Sequence, residues 1–80
     1  MVENKQYWTK IVSKILKIEM TKKHVNFIQL AENLSQIGVK MRPEDLRNRF
    51  STGTFGAMLF VQCLKALEVK NLPWEGLFNE

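Results

Sequence analysis

The apolar residues at the start of the chain recur at the spacing of an α-helix. A helix from about Asn4 to Lys22 places the following apolar residues on one face: Tyr7, Trp8, Ile11, Val12, Ile15 and Leu16. The opposite face carries Lys10, Lys14 and Lys17 at positions i, i+4 and i+7. We therefore predict an amphipathic first helix that buries its apolar face and turns its cationic face to water.

The second segment carries boundary signals at both ends. Asn26 is placed to cap a helix, and Gln29 three residues later is its capping-box partner. Gly38 stands where a left-handed residue ends many helices. These signals predict a helix from about Phe27 to Ile37. Its inward stripe is expected to consist of Phe27, Leu30, Ala31, Leu34 and Ile37.

A short third helix is expected to begin at Pro43, because proline suits the first position of a helix. The helix continues to Phe50 or Ser51, and only Leu46 and Phe50 give it an apolar anchor. Its other face is polar and contains Arg47, Asn48, Arg49, Ser51 and Thr52. Such a helix suits insertion into the major groove of DNA, although a plain solvated helix fits the same pattern.

Apolar residues cover most sides of the next segment, so we predict a fourth helix at the centre of the core. Thr54, or Thr52 before it, is the expected cap, and the helix continues to about Leu67. Only Gln62 and Lys65 are expected to face outward.

A fifth element, one helical turn, is predicted after Pro73. Its Trp74, Leu77 and Phe78 either fold back onto the first and fourth helices or remain exposed. In the second case a dimer contact is the natural explanation for the apolar patch.

Composition limits the size and setting of this all-α protein. Eighty residues allow one domain, residues 1–80 with a core over about 5–78. Twelve Lys and Arg against eight Asp and Glu leave a net charge of +4, which fits an anionic partner such as nucleic acid or a membrane surface. A single cysteine, a polar start and the lack of a long apolar run lead us to expect a cytoplasmic protein.

The sequence offers little for catalysis. There is one histidine, His24, and one cysteine, Cys63, and the latter lies in an apolar helix where a packed thiol is expected. A zinc site needs three or four suitable ligands, and no phosphate-binding loop is present. We expect no enzyme activity, metal, cofactor or small-molecule substrate.

The order of the helices resembles the helix-turn-helix domains of the phage-repressor and Xre-like class. The matching features are Leu30-Ala31 in the helix before the polar helix, Gly53 after it, and Leu67-Glu68-Val69 at the end of the apolar helix. This resemblance implies a five-helix, lambda-repressor-like fold and a role in binding DNA.

A second resemblance is to a bacterial domain-of-unknown-function family, number 6471. It rests on a scattered signature over about residues 8–72: Trp8, Leu16-Lys17, Glu19-Met20, Gln29-Leu30-Ala31-Glu32, Gly38-Val39, Gly53-Thr54-Phe55 and Gln62-Cys63-Leu64. The resemblance implies a bacterial or mobile-element setting and carries no activity.

Two main hypotheses for function follow. In the first, the domain is a transcriptional regulator that binds duplex DNA. Base edges would be contacted by Arg47, Asn48, Arg49 and Ser51. Phosphates would be contacted by Lys22, Lys23, His24, Lys40, Arg42 and Thr52. In the second, the domain is a protein-binding adaptor or homodimer that uses the apolar C-terminal residues. A membrane-surface role for the basic first helix is a third possibility, outside the partners that we predict.

Overall fold

A computed structural model describes residues 5–72 and contains four α-helices in that range: α1 (Lys5–Lys23), α2 (Phe27–Gln36), α3 (Pro43–Thr52) and α4 (Gly56–Ala66). The described range contains no strand, so the predicted all-α class is confirmed. The predicted turn with Trp74, Leu77 and Phe78 lies outside the described residues. No helix between residues 5 and 72 combines the length and the hydrophobicity needed to cross a bilayer.

The second helix has the boundary signals that the sequence predicts at both ends. Asn26 Oδ1 accepts a hydrogen bond from Gln29 N at 2.8 Å, and Gln29 Oε1 accepts one from Asn26 N at 3.0 Å, so the capping box is confirmed. At the other end of α2, Gly38 has a left-handed backbone (φ 88°). The sequence pattern did not reveal that His24, also left-handed (φ 56°), follows the end of α1.

The third helix is closely packed against the first at its C-terminal end. Pro43 occupies the predicted first turn, and Gly53 ends the helix in a left-handed conformation with φ 69°. A Cβ atom on Gly53 would lie 2.5 Å from Thr9 Cβ and 2.6 Å from Thr9 O. Only glycine therefore allows the chain to turn this close to α1.

Two predictions for the fourth helix are wrong. The helix begins at Gly56, and its N-cap residue, Phe55, makes no side-chain cap. The hydroxyls of Thr52 and Thr54, which were predicted as caps, instead lie 2.6 Å apart in a hydrogen bond with each other.

The fourth helix is also not the centre of the core. Met58 is 75% exposed and Val61 60% exposed, and Gln62, which was expected to face outward, is partly buried. Within α4 only Cys63 is buried. The prediction failed because apolar composition does not show which side of a helix its neighbours cover.

The core lies between α2, α3 and the inner sides of the other two helices. Its buried members are Leu16, Met20, Leu30, Leu34, Leu46, Phe50, Phe55, Cys63 and Leu67. The rings of Phe27, Phe50 and Phe55 meet edge to face, with centroids 4.9 and 5.0 Å apart.

The outer ends of two predicted inward stripes are exposed. In α1, Trp8 is 50% exposed, and Tyr7 is also classed as exposed. Ile37, which was expected to close the stripe of α2, is exposed after the end of that helix. Burial on these two faces is therefore confined to the parts that meet another helix.

Candidate functional site

The polar face of α3 is held toward solvent by the two apolar anchors predicted for it. Leu46 and Phe50 are both buried. Arg47, Asn48 and Ser51 lie on the other side and are exposed. The short helix is thus fixed by its buried side and free to contact another molecule with its exposed side.

Arg47 is oriented by an aromatic ring at the edge of the core. Its guanidinium carbon lies 5.5 Å from the centroid of the Phe27 ring, a cation–π contact. The Phe27 ring itself packs edge to face on Phe50. Among the described residues Arg47 makes no ion pair, so its charge is not cancelled by a nearby carboxylate.

Arg49 has a different environment, although it was predicted for the same role. Its Nη1 donates a hydrogen bond to the carbonyl oxygen of Thr54 at 2.9 Å. Its own carbonyl accepts hydrogen bonds from the backbone N–H groups of Gly53 and Thr54. Arg49 therefore stabilises the turn between α3 and α4 with both its side chain and its backbone carbonyl group.

Thr52 also uses its side chain within the chain. Its hydroxyl lies 2.9 Å from Asn48 O, to which it donates, and 2.6 Å from the hydroxyl of Thr54. The predicted phosphate contact from Thr52 would compete with these bonds. Ser51, in contrast, has an exposed side chain beside the groove described next.

A groove of about 660 Å³ lies on the surface where α1 meets the C-terminal end of α3; we call it the α1–α3 groove. Its α1 wall includes Lys10, Lys14, Lys17 and Lys22. Its other wall consists of Phe50, Ser51, Thr52 and Gly53. The structure thus brings the cationic face of α1, for which the sequence favoured a solvated face over phosphate contact, beside the end of the polar helix.

A buried hydrogen bond holds the two walls of the groove together. Ser13 Oγ donates to the carbonyl oxygen of Phe50 at 2.6 Å. Ser13 is buried although it lies among the lysines in the sequence. Periodicity missed this residue because serine is not counted as apolar. The signal that could have found it is its helical spacing: Ser13 lies three residues before Leu16 and seven before Met20, which are both buried.

The residues predicted for phosphate contact at the end of α1 and just after it lie on different surfaces. Lys22 lines the α1–α3 groove, and His24 lines a neighbouring hollow with Lys17 and Phe27. Lys23 instead lines a separate hollow with Lys65 and Glu68. Lys22 is therefore beside the C-terminal end of α3, His24 lies in a hollow that contains no α3 residue, and Lys23 belongs to another surface.

Lys22 also has a partner inside the chain. Its Nζ lies 3.5 Å from Glu19 Oε2. Glu19 is only 4% exposed, and its Oε2 has no hydrogen-bond partner in the described part of the chain. The ammonium group thus compensates a buried carboxylate at a distance too long for a good hydrogen bond.

Lys40 and Arg42 lie before the N-terminal end of α3. Arg42 pairs with Asp45 at 3.3 Å and with Glu44 at 3.6 Å. The hydrogen bond to Asp45, with the charges of both carboxylates, raises the pKa of Arg42 above its ordinary value. Lys40 is exposed. The two carboxylates also occupy the positive end of the helix, which makes this end a poor site for a phosphate.

The described residues contain no group of metal ligands, and their cysteine is buried. Between residues 5 and 72, no three His, Cys, Asp or Glu side chains are grouped so as to hold a metal ion. Cys63 is completely buried, and this burial raises the pKa of its thiol to about 11. The thiol is therefore protonated and inaccessible at neutral pH.

Comparison with known proteins gives one match. The family model described as "Domain of unknown function (DUF6471)" matches residues 8–72, which is most of the chain. No curated protein and no solved structure matches. The matched range includes all the residues that form the walls of the α1–α3 groove.

Proposed function

The chain belongs to the DUF6471 family, and we propose that it is a helix-turn-helix regulator that binds duplex DNA through α3. The family match bears out the resemblance to this family and brings no activity with it; the resemblance to helix-turn-helix domains is part of the proposal. One observation carries the proposal: α3 buries Leu46 and Phe50 and exposes Arg47, Asn48 and Ser51. Ser51 also lines a groove whose other wall carries lysines.

The dimensions and side chains of α3 suit the major groove. Ten residues of helix span about 15 Å, and the major groove, about 12 Å wide, admits a helix. Arginine pairs with guanine through two hydrogen bonds, and asparagine pairs with adenine in the same way. We therefore assign base contacts to Arg47 and Asn48, with Ser51 beside them.

The environments of the other predicted residues narrow the proposed interface. Arg49 is left out of the base contacts because its guanidinium group is bound to Thr54. Arg42 is left out of the phosphate contacts because two carboxylates already pair with it. Lys22 is left out as well because it pairs with the buried Glu19. His24 remains as a phosphate contact, and Lys23 and Lys40 would contribute only to the general positive field.

A selection from random duplexes, followed by binding measurements on variants, tests the proposal. Arg47→Ala is expected to relax the sequence preference at one position by about 1–3 kcal/mol. Arg42→Ala is the matched control, since it removes the same charge from an exposed arginine outside the proposed interface.

Two results would contradict the proposal. If the protein retained no duplex even at low salt, DNA binding itself would be wrong, because basic contacts give at least weak non-specific affinity there. If Arg47→Ala weakened binding to all sequences equally, α3 would not contact base edges.

A second candidate function is contact with another protein or with a second copy of the chain. It is favoured by Met58 and Val61 on the exposed side of α4, which form apolar surface on a small domain. The C-terminal residues first considered for this role lie outside the described range. Light scattering over a range of concentrations tests it: a mass that stays monomeric would exclude a stable homodimer.

A further inference from the structure

Half of the basic residues of the chain, and its whole excess of positive charge, lie in one helix. The segment that forms α1 holds six of the twelve Lys and Arg residues and one of the eight acidic residues. The rest of the chain has slightly more acidic than basic residues. A negatively charged partner is therefore attracted to α1 rather than to the molecule as a whole.

Three of these lysines form a regular row on the exposed side of α1. Lys10, Lys14 and Lys17 are all exposed, and we call them the lysine stripe. The row is about 10 Å long, since a helix rises about 1.5 Å per residue. One strand of duplex DNA carries a negative charge for about every 3.4 Å of axis, so the stripe matches about three phosphates.

The position of the lysine stripe relative to α3 is fixed by two close contacts. Ser13, between the first two lysines in the sequence, donates its buried hydrogen bond to Phe50 O at 2.6 Å. Gly53, at the end of α3, lies directly against Thr9. These two contacts therefore fix the position of the stripe relative to the exposed face of α3.

We propose that the lysine stripe binds the phosphates of one strand of the same duplex that α3 contacts, a step that rests on the proposed function. The stripe ends at Lys17, and Lys22 lies beyond it in a pair with the buried Glu19. A bilayer is a less suitable partner, because a membrane-surface helix needs a free apolar face, and Ile15 and Leu16 of α1 are buried in the protein.

The test compares two triple variants that remove the same charge. Lys10→Gln/Lys14→Gln/Lys17→Gln removes the stripe, and Lys40→Gln/Lys65→Gln/Lys70→Gln removes three exposed lysines elsewhere. Binding to a duplex of random sequence is measured at several salt concentrations. The stripe variant is expected to lower the slope of log affinity against log salt by about 2.7, and the control variant by much less.

Further arms separate the possible failures. Circular dichroism and a melting curve establish whether each variant is folded. If the triple stripe variant is unfolded, the double variant Lys10→Gln/Lys17→Gln replaces it. The expected change of slope is then about 1.8. Equal slopes for the stripe and control variants would overturn the stripe proposal while leaving binding by α3 intact.

Two other outcomes have different meanings. Absence of any wild-type binding at low salt would overturn the proposed function and the stripe proposal with it. Vesicles that contain phosphatidylserine provide the last arm: a stripe variant that loses vesicle binding but keeps the wild-type slope on DNA would assign the stripe to a membrane surface.

Discussion

At the scale of single residues, Gly53 is the position where the backbone leaves no choice of side chain. Its φ of 69° is left-handed, and an added Cβ would overlap Thr9 on α1. Gly38 has a φ of 88° but no atom within 4 Å of the same added Cβ. The two glycines thus separate the cost of backbone conformation from the cost of crowding.

We expect Gly53→Ala to destabilise the protein more than Gly38→Ala. The left-handed conformation costs about 1–2 kcal/mol at either site, and crowding against Thr9 adds about 1–3 kcal/mol at Gly53 alone. Urea denaturation of both variants and of the wild type measures the difference. Equal losses would mean that α3 does not approach α1 as closely as described.

Cys63 predicts a pH dependence of stability. Burial raises the pKa of its thiol to about 11, so the folded chain keeps this proton over a range in which the unfolded chain, with a thiol pKa of about 8.5, releases it. The free energy of unfolding should fall as pH rises through this range, by on the order of 2 kcal/mol at pH 10.

The variant Cys63→Ala isolates this effect, because every other ionisable group is the same in the two proteins. Urea denaturation of each protein at pH 8 and at pH 10 provides the measurement. The decrease should be smaller in the variant than in the wild type; identical decreases would show that the thiol does not contribute.

At the scale of helices, the contact of α1 with α3 depends on one buried polar group. Ser13 Oγ supplies a hydrogen bond to Phe50 O, a carbonyl near the end of α3. This bond lies under the α1–α3 groove and links the lysine stripe to the exposed face of α3. Its loss would leave a buried carbonyl oxygen without its partner.

Ser13→Ala is therefore expected to cost about 1–3 kcal/mol of stability, the penalty for an unsatisfied buried acceptor. Thr21→Ala, at an exposed position of the same helix, is the matched control, since both changes introduce the better helix former alanine. Thermal or urea denaturation provides the comparison. If Ser13→Ala lost no more stability than Thr21→Ala, the hydrogen bond of Ser13 would not contribute to the packing of α1 on α3.

At the scale of the whole molecule, the concentration of positive charge in α1 has a consequence for folding as well as for binding. Lysines three and four residues apart on one helix face repel each other by about 0.2–0.5 kcal/mol per pair. Added salt weakens this repulsion, because the screening length falls from about 30 Å at 0.01 M to about 10 Å at 0.1 M and about 3 Å at 1 M.

We expect the wild-type protein to become more stable as sodium chloride is raised from low to moderate concentration. The variant Lys10→Gln/Lys14→Gln/Lys17→Gln should show a weaker dependence, and the control with Lys40, Lys65 and Lys70 replaced should behave more like the wild type. Melting temperatures at a series of salt concentrations test this. If the melting temperatures of all three proteins depended on salt in the same way, repulsion within the lysine stripe would not affect stability.

The sequence by itself determined the helical elements and most of their ends. The capping box of Asn26 and Gln29, the proline at the start of α3, and Gly38 and Gly53 after two helices all act within a few residues of the chain. Interactions of this range are encoded in neighbouring residues, so they can be recognised without any tertiary contact. The apolar anchors of α3 followed from helical spacing for the same reason.

Only the tertiary structure decided which faces are covered and which side chains are already in use. Met58 and Val61 look like core residues in the sequence, but none of the helices between residues 5 and 72 covers them enough to bury them. Arg47 and Arg49 look equivalent, yet one lies over Phe27 and the other is bound to Thr54. Burial and electrostatic pairing depend on residues far apart in the chain or on the exact course of a turn, and composition and periodicity contain neither.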